Sequence, residues 1–128
     1  AMSAPGASRS HRATVLIVDD ELPIADIVAE VLSDEGYATV IASGGEHALQ
    51  ILSDSRADLM LLDLYMPGLS GIDVLHQLRS RGHLDAMPVV VMTAGTVNLA
   101  DLSQHGATGV LPKPFEVDAL LDTVRSLV

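Results

Sequence analysis

The chain has 128 residues, of which 48% are hydrophobic, so it is long enough for one domain with a buried core and too short for two. Its formal net charge of −10 argues against direct nucleic-acid contact, because phosphate affinity depends on lysine and arginine. It has no cysteine, which excludes disulfides and thiolate metal sites and favours a reducing, cytoplasmic location. No apolar run approaches the roughly 20 residues that span a bilayer, so no membrane contact is expected.

Residues 1–12 are small and polar and lack the apolar stretch of a signal peptide. They are expected to be a disordered leader or cloning remnant in front of a domain at 13–128. Residues 14–18 are β-branched and apolar, which is typical of a buried strand. Residues 23–35 have helical spacing, with a proline in the first turn and a glycine just after the last. The apolar residues that repeat at this spacing are Ile24, Ile27, Val28, Val31 and Leu32.

The rest of the chain alternates these two patterns. Further strands are predicted at 37–41, 59–63, 89–92 and 109–111. Helices are predicted from 44 or 45 onward, at 72–81 and at 117–127, and a weaker helical segment, expected to be mobile, at 97–104. Five strands that alternate with five helices predict a parallel sheet covered on both faces, because parallel neighbours need crossover connections. Pro112 removes a donor from the last strand and therefore predicts that this strand lies at an edge.

Polar residues follow four of these strands at corresponding ends. Asp19 and Asp20 follow the first strand, Asp63 ends the third, Thr93 ends the fourth, and Lys113 comes just after the fifth. Taken alone, each has an ordinary explanation as a helix cap or a solvated surface residue. Because the carboxyl ends of parallel strands lie at the same edge of a sheet, we expect these side chains to converge on one cleft.

The chemistry of this set is specific. Clustered carboxylates repel one another, and such a pocket favours protonation unless a cation fills it. An all-oxygen donor set suits Mg²⁺ before Zn²⁺. Lys113, the one lysine among seven basic residues, adds a compact ammonium, and Thr93 adds a hydroxyl donor. Together these groups predict a site that binds a phosphoryl group and accepts it on Asp63.

These residues lie in motifs that resemble the receiver domain of two-component response regulators over residues 14–128. The motifs are Val-Asp-Asp-Glu at 18–21, Asp-Leu-Tyr-Met-Pro-Gly-Leu-Ser-Gly at 63–71, Thr-Ala at 93–94 and Lys-Pro-Phe at 113–115. The resemblance implies a flavodoxin-like (βα)5 three-layer sandwich, with a five-stranded parallel sheet in the order 2-1-3-4-5. It also implies that Asp63 takes a phosphoryl group from a phosphohistidine on a sensor histidine kinase or phosphotransfer protein. The modified domain would then act on an output domain or downstream protein.

The resemblance further implies a role for each site residue. Asp20 and Asp63 would hold Mg²⁺ with the backbone carbonyl of Tyr65, and Asp19 would assist through water. Lys113 would pair with Asp63 at rest and with a phosphate oxygen afterwards. The domain would be a phosphoacceptor rather than an enzyme, with at most slow self-catalysed phosphotransfer and autodephosphorylation.

The switch that reads out phosphorylation is expected to begin at Thr93, the family's switch hydroxyl. Ala94, Tyr65 and Pro114 are expected to line the site as cofactor-binding positions, and the peptide bond before Pro114 is expected to be cis. Two roles stay open for the ring of Tyr65: its bulk slows hydrolysis of the acyl phosphate by restricting the attacking water, or it simply covers apolar surface. The family's switch aromatic is replaced by Val110, which departs from the pattern and moves the expected readout to the Thr93 loop and residues 97–104.

Two other functions compete with this interpretation. A receiver-like interaction module that works without phosphorylation is favoured by Val110 alone. A hydrolase of the haloacid dehalogenase type needs a second aspartate two residues beyond the acceptor, where Tyr65 stands. A homodimer stays open, and the sequence does not identify the kinase, the pathway, the phosphoryl lifetime or any output domain. The histidines at 11, 47, 76, 83 and 105 show no metal-ligand spacing and are expected on the surface.

Overall fold

The computed structural model describes residues 12–95 and 97–128. The leader predicted at the start of the chain falls on residues 1–11, which lie outside the described residues, and on Arg12. The backbone N–H of Arg12 donates to the carbonyl of Gly36, and its guanidinium lies over the ring of Tyr37. In chain order the elements are β1 (Thr14–Val18), α1 (Leu22–Asp34), β2 (Ala38–Ala42), α2 (Gly45–Asp54), β3 (Leu59–Asp63), α3 (Gly71–Ser80), a 3-10 turn (His83–Asp85), β4 (Val89–Thr93), α4 (Leu99–Gln104), β5 (Gly109–Pro112) and α5 (Val117–Leu127).

The strands form one sheet in the order β2-β1-β3-β4-β5, and every pair is parallel. This confirms the predicted flavodoxin-like fold class and strand order. Pro112 does lie on an edge strand, where the missing donor costs no central hydrogen bond. The register pairs Val18 with Leu62 and Asp63 with Met92, so β1, β3 and β4 end side by side.

Alternate side chains of the strands enter two separate cores, one on each face of the sheet. Leu16 and Met60 face the helices α2 and α3 in one core, whereas Ile17 and Leu61 face α1 and α5 in the other. All four are fully buried. A strand that is buried on both faces needs a continuous apolar run, and this is the pattern that identified the central strands from the sequence.

The helix boundaries agree with the predictions to within one or two residues. Which side chains of a helix face the core is predicted less well. On α1, Val28 and Leu32 are buried, but Ile27 is 64% exposed. On α3, Val74 is fully buried, and Ile72 is partly buried and packs against the same core. The weak segment at 97–104 holds the short helix α4, whose first turn is capped by the Asn98 side chain, which accepts from the Asp101 N–H at 3.2 Å.

The loop after β3 is held close to the sheet by the start of α3. Ser70 caps this helix, since its hydroxyl accepts from the Asp73 N–H and the Asp73 carboxylate accepts from the Ser70 N–H. Gly71 donates its N–H to the Leu64 carbonyl at 2.9 Å. A Cβ at Gly71 would lie 2.8 Å from Cα of Leu64 and 2.9 Å from the carbonyl oxygen of Asp63. Only glycine therefore lets α3 pack this closely against the end of β3.

Candidate functional site

Three aspartates come together where β1 and β3 end. Asp19 and Asp20 directly follow β1, and Asp63 is the last residue of β3. One carboxylate oxygen from each lies within 4.8 Å of the others. Asp19 is fully buried and Asp63 is 5% exposed, whereas Asp20 is exposed. The structure therefore places two buried carboxylates beneath one that reaches solvent, which leaves the cluster open on one side.

Lys113 supplies the positive charge of the cluster. Its ammonium lies 3.0 Å from Oδ2 of Asp19, 3.7 Å from Oδ2 of Asp63 and 3.8 Å from Oε1 of Glu21. The Lys113 side chain is 13% exposed. The structure thus brings Lys113 to Asp63 as the sequence predicted, but its shortest contact is with Asp19, and that pair is hydrogen-bonded. The Glu21 contact was not predicted, although its place in the motif after β1 could have indicated it.

The electrostatics of the cluster act most strongly on Asp63. Burial, which disfavours the charged form, raises the pKa of Asp63 from its usual 3.8 to about 6. The ammonium of Lys113 and the hydrogen bond from the Tyr65 N–H lower this pKa, and the negative charge of Asp19 raises it, so the net effect is upward. An aspartate in this position gains from any added positive charge, which is the condition for cation binding.

The pKa of Lys113 is raised as well, but by its charged neighbours and against the effect of burial. Burial lowers the pKa of Lys113, but the hydrogen bond and charge of Asp19, together with the charges of Asp63 and Glu21, outweigh it and raise the pKa above its usual value. The amine is therefore held as an ammonium. One such cation faces three carboxylates, and Asp20 adds a fourth to the cluster, so the cluster keeps a negative excess.

The donor set fits a hard divalent cation. The three clustered aspartates offer only oxygen ligands, which Mg²⁺ prefers, and one of them is open to solvent, so that water can complete the coordination shell. Asp19 is already engaged by Lys113 and by the Glu21 N–H, which donates to its Oδ1 at 2.9 Å. Asp20 and Asp63 are consequently the two carboxylates with the most freedom to bind an ion directly.

The remaining predicted residues surround this cluster. Thr93 ends β4, next to β3, and is buried; its Oγ1 accepts from the Gly95 N–H at 3.2 Å. The Tyr65 N–H donates to Oδ1 of Asp63 at 3.4 Å, while its side chain is 67% exposed. Thr93, at the end of β4, and Tyr65, on the loop after β3, therefore lie at the same edge of the sheet as Asp63.

A cavity beside the cluster contains two further predicted residues. Ala94, Lys113 and Pro114 line it together with the apolar side chains of Ile24, Ile27, Val28 and Phe115, and its volume is about 420 Å³. The peptide bond between Lys113 and Pro114 is cis, as predicted. The exposed Ile27, which helical periodicity alone would have buried, belongs to this cavity wall.

Comparison with known proteins agrees with this geometry. Residues 15–125 match the family model described as the response regulator receiver domain. The chain belongs to this family of two-component signalling domains.

Similar proteins include curated response regulators and proteins of solved structure. The response regulator MprA of Mycobacterium sp. (strain KMS) is 38% identical over 117 residues, which cover 89% of this chain and 50% of that protein; MprA of Mycobacterium bovis (strain BCG / Pasteur 1173P2) gives the same identity and shares. The chain thus spans about half the length of the curated relatives it matches. The chemotaxis protein CheY4 of Vibrio cholerae superposes with a TM-score of 0.84 at 31% identity, covering 91% of this chain and 98% of that one.

One similar structure contains a metal and a fluoride complex. The response regulator TrrA of Thermotoga maritima, in complex with Mg²⁺-BeF, has a TM-score of 0.80 at 34% identity and covers 90% of this chain and 98% of that one. Among the described residues of the present chain, no helix is both long and apolar enough to cross a membrane.

Proposed function

We propose that this receiver domain accepts a phosphoryl group on Asp63 from a phosphohistidine of a sensor histidine kinase or phosphotransfer protein. The observation that carries the proposal is the joint position of Asp20, Asp63 and Lys113 at one edge of the sheet: oxygens of Asp20 and Asp63 lie within 4.8 Å of each other, and the Lys113 ammonium lies 3.7 Å from Asp63. An oxygen of the Asp63 carboxylate would attack phosphorus, the phosphorus–nitrogen bond would break, and the imidazole would leave with the electron pair. The acyl phosphate that forms carries more negative charge than the carboxylate it replaces.

The residues around Asp63 suit this transfer. Lys113 is held as an ammonium 3.7 Å from Asp63, close enough to reach an oxygen of the incoming phosphoryl group. The cluster would hold Mg²⁺ through Asp20, Asp63 and the backbone carbonyl of Tyr65, with Asp19 assisting through water. Bound there, the ion would offset the negative charge of the phosphoryl oxygens. The complex of the similar response regulator TrrA with Mg²⁺-BeF supports a magnesium site in this domain by similarity.

Thr93 is proposed to sense the modification. Its hydroxyl accepts a hydrogen bond from Gly95 in the present state, and it could instead donate to a phosphoryl oxygen on the neighbouring strand end. That exchange would move the loop after β4 and the segment that leads into α4. An output domain or downstream protein would then bind the altered surface. As part of the same proposal, the domain acts in the cytoplasm without direct contact to nucleic acid or membrane.

The test is direct phosphorylation of the intact chain. Incubation with Mg²⁺ and acetyl phosphate should add one phosphoryl group, detected by mass spectrometry of the whole protein. The adduct should be lost in Asp63→Asn and on chelation of Mg²⁺, and it should be retained in Asp26→Asn, which changes an exposed aspartate of α1. Failure of the unmodified chain to form any adduct would refute the proposal.

A second function, binding that does not depend on phosphorylation, is favoured by Val110. This residue stands in β5 three positions before Lys113, and it is half-buried. A valine has a strong χ1 preference and cannot make the large swing of an aromatic ring. If a partner binds the unmodified chain and Asp63→Asn equally, and acetyl phosphate changes neither affinity, this second function replaces the first.

A further inference from the structure

Two histidine side chains meet on the surface, at a place separate from the carboxylate cluster. His76 lies in α3 and His105 directly follows α4, 29 residues later. Nε2 of His76 is 2.9 Å from Nδ1 of His105, and the ring centroids are 5.0 Å apart with an interplanar angle of 47°. Because α4 runs from the carboxyl end of β4 back toward the start of β5, His105 lies near the amino ends of the strands, away from the aspartates.

Other contacts keep these two helices in register. Arg79, one turn beyond His76 on α3, donates from Nη2 to the carbonyl of Gln104 at 2.9 Å. The backbone N–H of His105 donates to the carbonyls of Asp101 and Leu102, which fixes the end of α4. The approach of the two imidazoles therefore does not depend on their own hydrogen bond.

The carboxylate of Asp101 favours one tautomer of His105. Its Oδ1 lies 4.0 Å from Nε2 of His105, the nitrogen that points away from His76. The two groups are too far apart for a hydrogen bond, but the negative charge on that side weakly favours the tautomer with its proton on Nε2 and its lone pair on Nδ1, directed toward His76. Carboxylates commonly occupy this position behind metal-binding histidines, where they orient the ring and raise its basicity.

We propose that His76 Nε2 and His105 Nδ1 form a binding site for a transition-metal dication of the Zn²⁺ class, with water as the remaining ligands. Two Zn–N bonds of about 2.0–2.1 Å at a tetrahedral angle place their nitrogens about 3.3 Å apart. The observed 2.9 Å is a hydrogen bond in which His76 Nε2 carries the proton. When the ion binds, this proton leaves Nε2 for Nδ1 of His76 or for solvent, both rings turn so that their lone pairs meet at the ion, and the two nitrogens move apart by a few tenths of an ångström. His76 is exposed and His105 about one-third exposed, so both rings can adjust and water can reach the ion.

Imidazole ligands separate this site from the carboxylate cluster by chemistry. Nitrogen donors suit zinc, copper and nickel, whereas Mg²⁺ prefers oxygen. The ion would join α3 to the end of α4, a helix of only six residues whose one buried residue is Leu102. Occupancy would therefore stabilise α4 without any change at Asp63.

Calorimetric titration of the intact chain with Zn²⁺ tests the proposal, with millimolar Mg²⁺ present to compete with zinc for the carboxylate cluster; zinc that still binds there belongs to the part of the signal that H76Q and H105Q leave unchanged. The unmodified chain should bind one Zn²⁺, and H76Q and H105Q should each lower the affinity at least tenfold. The double variant should lose no more zinc affinity than whichever single variant binds zinc less tightly, because the two ligands act as a unit. H83Q, which changes a histidine of the 3-10 turn outside the pair, is the matched control and should bind zinc like the unmodified chain.

A second measurement separates metal ligation from a change in folding. Zn²⁺ should raise the melting temperature of the unmodified chain and of H83Q but not of H76Q or H105Q. In NMR spectra of the unmodified chain, Zn²⁺ should shift the imidazole ¹⁵N resonances of His76 and His105. Equal zinc affinity in H76Q, H105Q and the unmodified chain would overturn the proposal, as would the absence of zinc binding. Phosphorylation by acetyl phosphate is measured separately, so failure here and failure of the proposed function are distinguishable.

Discussion

Replacing Asp63 with asparagine should stabilise the chain at neutral pH in the absence of divalent ions, although it removes the proposed phosphoacceptor. Asparagine resembles the protonated carboxyl in size and carries no charge. Burial raises the pKa of Asp63 to about 6, against 3.8 ordinarily, so the folded chain holds this proton more tightly than the unfolded chain. At pH 7.5 the group is ionised in both states, and the folded state bears the cost of the buried charge.

The size of the effect follows from linkage. A difference of about two pKa units corresponds to roughly 3 kcal/mol in the free energy of unfolding, which is an upper value because the cluster can relax. We therefore expect Asp63→Asn to be more stable by about 1–3 kcal/mol at pH 7.5. The advantage should fall as the pH decreases through 6 and disappear below about 4, where both states of the unmodified chain are protonated.

Urea unfolding with EDTA at pH 7.5, 6 and 4 measures this difference. Asp26→Asn is the control, since Asp26 is exposed on α1 and its replacement should change the free energy of unfolding little at any of these values. Millimolar Mg²⁺ at pH 7.5, without EDTA, should reduce the difference in the free energy of unfolding between Asp63→Asn and the unmodified chain, because the ion stabilises only the chain that retains Asp63. Equal or lower stability of Asp63→Asn at pH 7.5 without metal would show that burial does not dominate the electrostatics of this carboxylate.

Three further changes test other parts of the site. Lys113→Met should destabilise the chain by about 3 kcal/mol at pH 7.5 in urea unfolding, because fully buried Asp19 loses the cation 3.0 Å away; an unchanged midpoint would mean that the pair contributes little. Gly71→Ala should cost about 1–3 kcal/mol in the same assay, since its Cβ would clash with the loop after β3, whereas Gly109→Ala has open space and serves as the control. Tyr65→Ala should shorten the lifetime of the phosphorylated chain severalfold, as measured by mass spectrometry of the whole protein over time. Equal lifetimes in Tyr65→Ala and the unmodified chain would show that the exposed ring does not shield the acyl phosphate.

The positions of the site residues could be predicted from the sequence, but their pairings could not. Apolar runs located β1, β3 and β4, and parallel alternation placed Asp19, Asp63 and Thr93 at one edge of one sheet. Which carboxylate lies nearest Lys113 depends on side-chain rotamers and on the distance between β1 and β5 across the cleft. Differences of less than 1 Å decide that order, and no spacing rule in the sequence encodes them.

Faces and surfaces were harder to predict than elements. Ile27 repeats at helical spacing with the core residues of α1, yet it is exposed and lines the cavity beside Lys113. His76 and His105 show no ligand spacing because the contact between them depends on how α3 and α4 are placed relative to each other. Periodicity describes one helix against an average core, so contacts made by two helix ends or by a cavity wall lie beyond it.

The way in which a phosphoryl group on Asp63 would change the surface depends on Val110. In β5, Val110 pairs with Val91 and packs against the core cluster that contains Leu102, the buried residue of α4. A β-branched side chain held between a strand and a helix keeps one χ1 rotamer, so β5 offers no large side-chain swing. Thr93 is connected to α4 through the loop that follows β4, and α4 is short and rests on few buried atoms. The structural response is therefore expected in the backbone of that loop and in α4 rather than in a ring on β5.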